Sequence, residues 1–306
     1  MTLENQHTVA AVVVTYNRLE LLKKCIYSIR EQTKKPDEII VVNNSSTDGT
    51  LDWLKLQDDL TVITQENSGS AGGQYTGIKT AYEKGYDWVW SLDTDVVVDK
   101  NALENFFLSK GINKDNIGFL SSAIFYKDGT LAYINIPYLE NEEEIVQCYV
   151  KKEELPILSA SFGSVLFSRN AIEKVGFPIK EFFIWGDDVE YTFRMIRAGL
   201  KGVLINNSKA IHYAPSNYKD PFVLLPIKDI KMTLGVRNTV ATLIIRGDIL
   251  RKSRIKGFLS SLNFVVTVVI NRIRNDIKNI INLPYLILFF LQGIIFYYKH
   301  SKDYYD

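Results

Sequence analysis

The chain has 306 residues and is 46% hydrophobic, which is enough for a full core and long for one ordinary domain, so a catalytic domain with an extension is expected. Net charge is +1, yet residues 221–306 hold thirteen Lys/Arg against five Asp/Glu (+8) and leave −7 for residues 1–220, so the two parts predict different partners. Cys25 and Cys148 are the only cysteines; two so far apart exclude a disulfide framework and a thiolate metal site, and point to a reduced, cytoplasmic setting. The polar stretch Met1–His7 has no signal-peptide apolar run.

Val9–Thr15 is a continuous apolar run of strand length, followed by Tyr16-Asn17-Arg18 and an amphipathic helix over Leu19–Gln32. A second buried strand, Ile39–Val42, runs into Asn43-Asn44-Ser45-Ser46-Thr47-Asp48-Gly49-Thr50, whose residues are helix-cap and turn types. A helix over Thr50–Leu56, a strand over Leu60–Thr64 and a helix opening at Asn67–Gly73 and reaching Tyr82 follow. Apolar strands alternating with helices predict a parallel sheet covered on both faces, with ligands beyond the strands' carboxyl ends. The polar clusters after Val14, Val42 and Leu92 all fall there.

The apolar run Asp87–Leu92 ends in Asp93-Thr94-Asp95. On an extended strand residues i and i+2 leave the same face, so the two carboxylates can share one hard cation, Mg²⁺ or Mn²⁺, completed by water and phosphate. Asp99 reads as a cap for a helix over Asn101–Phe107. Further on, Asp187 and Asp188 open an amphipathic helix, Val189–Ala198, after the aromatic run Phe182–Trp185. N-capping accounts for carboxylates at a helix start. Two adjacent acids with Glu190 beside aromatic surface also disfavour simultaneous ionisation and can raise one pKa toward that of a useful base. The acidic run Glu140–Glu144 is expected to be a solvated loop or helix start.

Five strings occur in order: Val13-Val14-Thr15-Tyr16-Asn17-Arg18, Val41–Thr50, Asn67-Ser68-Gly69-Ser70-Ala71-Gly72-Gly73, Leu92-Asp93-Thr94-Asp95 and Trp185-Gly186-Asp187-Asp188-Val189-Glu190. Together they resemble a family 2 glycosyltransferase of the GT-A fold over residues 9 to about 213, in the branch with bacterial galactofuranosyltransferases and rhamnosyltransferases. The resemblance implies an α/β, Rossmann-like, mostly parallel sheet flanked by helices over residues 1–220, with a C-terminal helical extension over 221–306.

It also implies the roles of individual residues. Thr15, Asn17, Arg18 and Asn43 would line the base and ribose of a nucleotide-diphosphate sugar; Asn43 departs from the family's more frequent Asp. Asn67, Gly69, Gly72 and Gly73 would bring free backbone amides close to the donor. Asp95 would ligate the Mn²⁺ or Mg²⁺, Asp93 would bind the donor ribose or the metal through water, and His212, after a strand at Gly202–Ile205, would be a further ligand. Asp188 would be the catalytic base of an inverting displacement, with Asp187 and Trp185 shaping the acceptor pocket and Gly163 admitting the sugar. The acceptor would be a cell-surface glycan or a lipid-linked sugar.

Beyond Pro215, helices are predicted over Lys228–Arg246 and Ile255–Ile280, and Leu283–Tyr298 is a 16-residue apolar stretch. That falls short of the roughly 20 residues of a membrane span. Arg251, Lys252, Arg254, Lys256, Arg272, Arg274 and Lys278 lie around these stretches. An anionic membrane surface on the cytoplasmic side fits them, and so does a helical unit packed on the catalytic domain or on a second subunit. Arg237-Asn238 resembles a short family motif and is expected to reach back toward the site. Two other functions compete. A nucleotidyltransferase would need a glycine-rich basic loop after the first strand, which Tyr16–Leu19 does not supply, and a non-catalytic nucleotide-sugar or glycan-binding assembly protein would have no need of a base. Nucleic acid is not expected, since the basic part lacks interleaved aromatics.

Overall fold

A computed structural model describes residues 7–110, 112, 116–139, 154–217, 221–251 and 253–300. The run Glu140–Glu144, Cys148 and Lys252 lie outside the described residues. Within them a nine-stranded sheet runs in the order β3-β2-β1-β4-β8-β6-β9-β5, with β7 also paired to β9. The strands are β1 Val9–Thr15, β2 Glu38–Asn43, β3 Leu60–Thr64, β4 Trp88–Asp93, β5 Val96–Val98, β6 Ile117–Tyr126, β7 Glu154–Ile157, β8 Ser164–Ser168 and β9 Lys201–His212. Helices α1 Leu19–Arg30, α2 Thr50–Leu54, α3 Gly69–Glu83, α4 Ala102–Phe107, α5 Arg169–Val175 and α6 Asp187–Arg197 surround it. Four helices follow: α7 Pro221–Leu224, α8 Ile230–Arg251, α9 Arg254–Asn275 and α10 Leu283–His300.

Strand β1 is buried along its whole length because both faces are covered. Val9, Ala11 and Val13 join one core with α1 and α4, while Ala10 and Val12 join a second with α3, α5 and α6. This explains an apolar run without alternation. In α1, Leu22, Cys25, Ile26 and Ile29 recur at helical spacing on the buried face. Gly73 and Gly77 let α3 lie close on β1, since a Cβ at either would fall 2.3 Å from Val14 or 2.2 Å from Val12. Burial of Cys25 pushes its thiol pKa up, so it is a packing residue without nucleophilic character.

The parallel register places the strand ends together. Thr15 pairs with Asn43 and Val14 with Asp93, so the three motifs share one edge of the sheet. Two expectations are corrected. Strand β4 stops at Asp93, and Thr94-Asp95 form a turn into β5, so strand alternation does not align the two carboxylates. The second strand of the pair, β9, runs on past Ile205 to His212. Its register against β6 skips between Ile205 and Lys209, a bulge that masks the strand behind polar residues.

The C-terminal helices pack on the sheet domain through a third core that joins Ala71, Ile179 and Phe182 to Val236, Val240, Val268, Phe289 and Phe296. The apolar helical stretch is also longer than expected. Ile277–His300 covers 24 residues and holds an 18-residue window of mean hydropathy 1.9, long and apolar enough by length and composition to cross a membrane, although part of it is buried here against α8.

Candidate active site

At the donor edge, Thr15 Oγ1 and Asn43 Nδ2 are buried and lack a hydrogen-bond partner among the described residues. Such groups cost about 1–3 kcal/mol each, so they mark where a polar ligand is expected. Asn43 Oδ1 accepts from the Ser46 amide at 3.0 Å, which directs its Nδ2 away from that turn. Gln74, not anticipated from the sequence, resembles them: its Oε1 accepts from Ser91 at 2.8 Å and its Nε2 is buried and unpartnered.

Asn17 and Arg18, expected at the base and ribose, make contacts within the protein. Asn17 stands in the left-handed region (φ 51°), its amide donates to Ser46 Oγ at 2.9 Å, and its Oδ1 accepts from the Thr47 amide at 2.7 Å. It therefore ties the loop after β1 to the loop after β2. Asp48 adds to this tie, accepting from the Leu19 amide at the start of α1 and from Thr50. The Arg18 guanidinium ion-pairs with Asp95.

The glycines also have a different role. A Cβ on Gly69 would sit 2.0 Å from the Phe183 carbonyl oxygen, one on Gly72 would meet Ser68, and one on Gly73 would meet Val14. Gly69 thus lets the Phe183 backbone come close, while Gly72 and Gly73 make room for the side chains of Ser68 and Val14. Asn67 Oδ1 accepts from the Gly69 amide at 3.0 Å, and Asn44 Nδ2 donates to Gly69 O at 2.9 Å.

Asp95 is placed by the β5–β9 ladder. Val96 pairs with His212, and the Tyr213 amide donates to Asp95 O at 2.8 Å, which sets His212 Nε2 3.4 Å from Asp95 Oδ1. His212 Nδ1 donates to Asn135 Oδ1 at 2.7 Å, so Asn135, a loop residue with no sequence signal, orients the ring. Burial raises the Asp95 pKa, but His212 and Arg18 outweigh it and hold the carboxyl down to about 2. Desolvation and the Asp95 charge push half-buried Asp93 up to about 7.

The donor set suits a divalent ion. Nε2 of His212 lies 3.4 Å from Asp95 Oδ1 while Nδ1 is engaged by Asn135, so Nε2 and the Asp95 carboxylate are the atoms that would hold an ion. No three His, Cys, Asp or Glu side chains among the described residues form a closed site. Asp95 and His212 would therefore leave open positions for diphosphate oxygens and water, as Mg²⁺ and Mn²⁺ sites commonly do. An imidazole ligand favours Mn²⁺.

On the acceptor side, Phe183 and Trp185 both adopt left-handed backbone (φ 65° and 62°) just before α6. Left-handed non-glycine residues persist only where their surroundings hold them. Asn238, fully buried on α8, supplies that hold: its Nδ2 donates to the carbonyls of Phe182, Ile184 and Trp185 at 3.0, 2.7 and 2.8 Å. Arg237 donates to Glu181 O and Phe182 O at 2.9 and 3.1 Å. The expectation that this pair reaches back to the site is met. The Trp185 ring packs edge-on against Phe222 at 5.8 Å, toward the C-terminal helices.

The N-cap position of α6 is Gly186, but Asp188 Oδ1 accepts from the Val189 amide in the first turn at 2.7 Å, so part of the expected capping is present. Burial and the Asp188 charge raise the Asp187 pKa well above the usual carboxylate range, and its Oδ2 is unpartnered. Desolvation pushes half-buried Asp188 up to about 6, against the amides of Val189, Gly186 and Phe162, which pull it down. The Asp188 charge also raises the Asp93 pKa, and the Asp93 charge that of Asp187, so the two motifs form one acidic centre. Glu190 is not part of it: it pairs with Arg194 at 2.8 Å one turn along α6. Gly163 lies against Asn135 and Ser161, beneath the residue that orients His212. Asp99 supplies its backbone carbonyl to the Ala102 amide, and α4 has no side-chain cap.

Among solved structures, GalNAc-T7 with UDP, GalNAc and Mn²⁺ superposes with a TM-score of 0.57 over 78% of this chain and 48% of that one, at 16% identity, which shows the GT-A-like fold. The profile of glycosyl transferase family 2 matches residues 10–176, and the chain belongs to that family. Galactofuranosyltransferase GlfT1 of Mycolicibacterium smegmatis is 28% identical over 201 residues, and that of Mycobacterium tuberculosis 30% over 203, each over 63% of this chain. The match spans 66% of the length of either relative. EpsH of Bacillus subtilis, a putative glycosyltransferase by its name, is 26% identical over 61% of this chain and 55% of its own.

Proposed function

We propose that the protein transfers a sugar, with inversion, from a nucleoside-diphosphate donor to a glycan or lipid-linked sugar acceptor, and that the sugar is a galactofuranose or a rhamnose. The observation that carries the reading is the meeting of Asp93 and Asp95 with Asp187 and Asp188 beside the unpartnered Thr15 and Asn43. The names of the mycobacterial relatives favour galactofuranose.

Thr15 and Asn43 hold the nucleoside, and Asp93 binds ribose hydroxyls. A divalent ion held by Asp95 and His212 would neutralise the charge gathering on the departing diphosphate. Arg18, ion-paired with Asp95 here, would yield its place on that carboxylate to a bound ion. Asp188, with its pKa near 6, is ionised at neutral pH and takes the proton of the acceptor hydroxyl. The acceptor oxygen then bonds to the anomeric carbon while the bond from that carbon to the diphosphate oxygen breaks on the opposite face. Asp187, kept protonated by burial, offers a donor to an acceptor hydroxyl without adding charge beside the base.

A panel of nucleotide sugars assayed for transfer and slow hydrolysis with Mn²⁺ or Mg²⁺, with the product's anomeric configuration read by NMR, tests this. The expected result is turnover of one furanosyl or deoxyhexosyl donor with inverted configuration. Turnover unaffected by chelation, or a product of retained configuration, would sink the reading.

A further inference from the structure

Helices α9 and α10 leave an apolar surface uncovered. On α9, Ile255, Leu259, Leu262, Val266 and Ile270 form one stripe at helical spacing, each 42–73% exposed. On α10, Leu283, Ile287, Leu291, Ile295 and Tyr298 form another, 40–67% exposed. The two stripes join across a groove of about 180 Å³ walled by Leu262, Val266, Ile270, Leu283, Ile287 and Phe290. Contiguous apolar surface on this scale marks an interaction site.

Helix α9 has three faces. Gly257, Ser261, Val265, Val268 and Arg272 are buried. The apolar stripe is the second face, and the third is polar, with Lys256, Ser260, Asn263, Thr267, Asn271 and Arg274. A helix wholly surrounded by lipid would not carry that polar face, and one wholly in water would not carry the apolar one.

The charge around the patch selects its partner. Arg254 and Lys256 open α9, Arg274 and Lys278 flank its end, and Lys299 closes α10, all exposed. The one acidic residue of the stretch, Asp276, caps the amide of Lys278 at 2.9 Å. In a two-fold dimer the patch would meet its own copy, basic rim against basic rim. An anionic lipid surface complements both the apolar stripes and the rim.

We infer that α9 and α10 lie in the plane of an anionic bilayer, with the apolar stripes in the acyl boundary and the basic rim among the headgroups. Although α10 has the length to span, its inner face is fixed to the catalytic domain. Phe296 packs on Phe182 at 4.9 Å beneath the Arg237 guanidinium, and Gly293 lies against Val240. A spanning α10 would carry the loop leading to Asp187 into hydrocarbon, at a cost no contact here offsets. The inference does not depend on which sugar is transferred.

Flotation of the full chain with neutral and with 30% anionic phosphatidylglycerol vesicles, at about 0.05 and 0.5 M salt, tests it. Binding is expected to anionic vesicles, falling at least about tenfold at high salt. Ile281→Ser with Leu291→Ser and Ile295→Ser, all at exposed positions, is expected to weaken binding at least about tenfold. Orientation is read with single environment-sensitive labels at Leu259→Cys and Asn263→Cys in the Cys25→Ser, Cys148→Ser background: lipid-borne quenchers should reach the first and spare the second. These labels remain informative if the serine variant unfolds. Absence of flotation at low salt, equal quenching at both labels, retention in the membrane after both high salt and alkaline carbonate, or a stable dimer that the serine variant abolishes would each overturn the inference.

Discussion

The donor edge and the acceptor loop meet at one acidic centre but are built by different means. On the donor side the sheet does the placing: β1, β2 and β4 are in parallel register, and their ends deliver Thr15, Asn43 and Asp93 together. Short Asx and Ser contacts, such as Asn17 with Thr47 and Asp48 with Leu19, then finish the loops. On the acceptor side no strand ladder holds Phe182–Gly186. Its left-handed residues are held by Asn238 and Arg237, more than fifty residues away on α8. The family profile ends at residue 176, just before this loop. On the proposed reading, the strand ends place the residues that would hold the nucleotide, while α8 shapes the loop that would receive the sugar.

Breaking the donor side at its ion should have the largest effect. Asp95→Ala is expected to abolish turnover and weaken nucleotide binding while thermal unfolding stays nearly unchanged, and chelation of the wild type should reproduce the loss of turnover. A folded Asp95→Ala protein that still transfers in a metal-dependent manner would refute the assignment. Asp188→Asn is expected to lower kcat at least about a hundredfold with donor affinity kept. In the wild type, log kcat should fall as pH drops through about 6, since the base must be ionised, and the variant's residual rate should lack that limb.

Asn238→Ala probes the hold on the acceptor loop. The two N–H groups of Asn238 Nδ2, shared among three carbonyls, are lost, so a stability loss of about 2 kcal/mol is expected, with acceptor KM raised and donor Kd unchanged. Equal damage to donor binding would dissolve the distinction between the two sides. Asp187→Asn should go the other way in stability. The folded pKa is raised above the ordinary 3.8, so the wild type loses stability as pH rises beyond that value. The variant should melt higher at pH 8, and the gap should close as pH falls toward 3.8, while activity drops. The smallest effect on function is expected for Thr15→Val: the free protein gains about 1 kcal/mol as a buried unpartnered hydroxyl is removed, and donor binding weakens by about fivefold, roughly one hydrogen bond. Calorimetry with and without nucleotide measures both.

The sequence was most legible where local pattern and tertiary outcome agree. Val9–Thr15 emerges with the expected bounds because a doubly covered strand needs only an apolar run, and so does Leu60–Thr64, the half-buried strand at the edge of the sheet. It misled where a polar bulge interrupts a strand, as at Asn206–Ser208 in β9, and where a turn replaced extended chain, as at Thr94-Asp95. Asn135 was invisible: its contact with His212 crosses 77 positions, and an isolated loop Asn carries no periodicity. Arg18 and the glycines were recognised as site residues, but their contacts depend on which neighbour arrives first. For Arg18 that is Asp95, and for Gly69 it is Phe183.

Gly69 ties the two sides in inheritance as well as in space. Its φ of +74° and the 2.0 Å that would separate a Cβ from Phe183 O leave no room for any other residue while that loop stays in place. The Ala71 amide donates to the same oxygen at 3.2 Å, so the carbonyl cannot simply turn away. A lineage that acquires a side chain at position 69 must rebuild its acceptor loop, and one that rebuilds the loop frees position 69 to drift. Substitutions on the two sides should therefore be epistatic, with new acceptor preferences arising through paired changes at 69 and 183 more readily than through either alone.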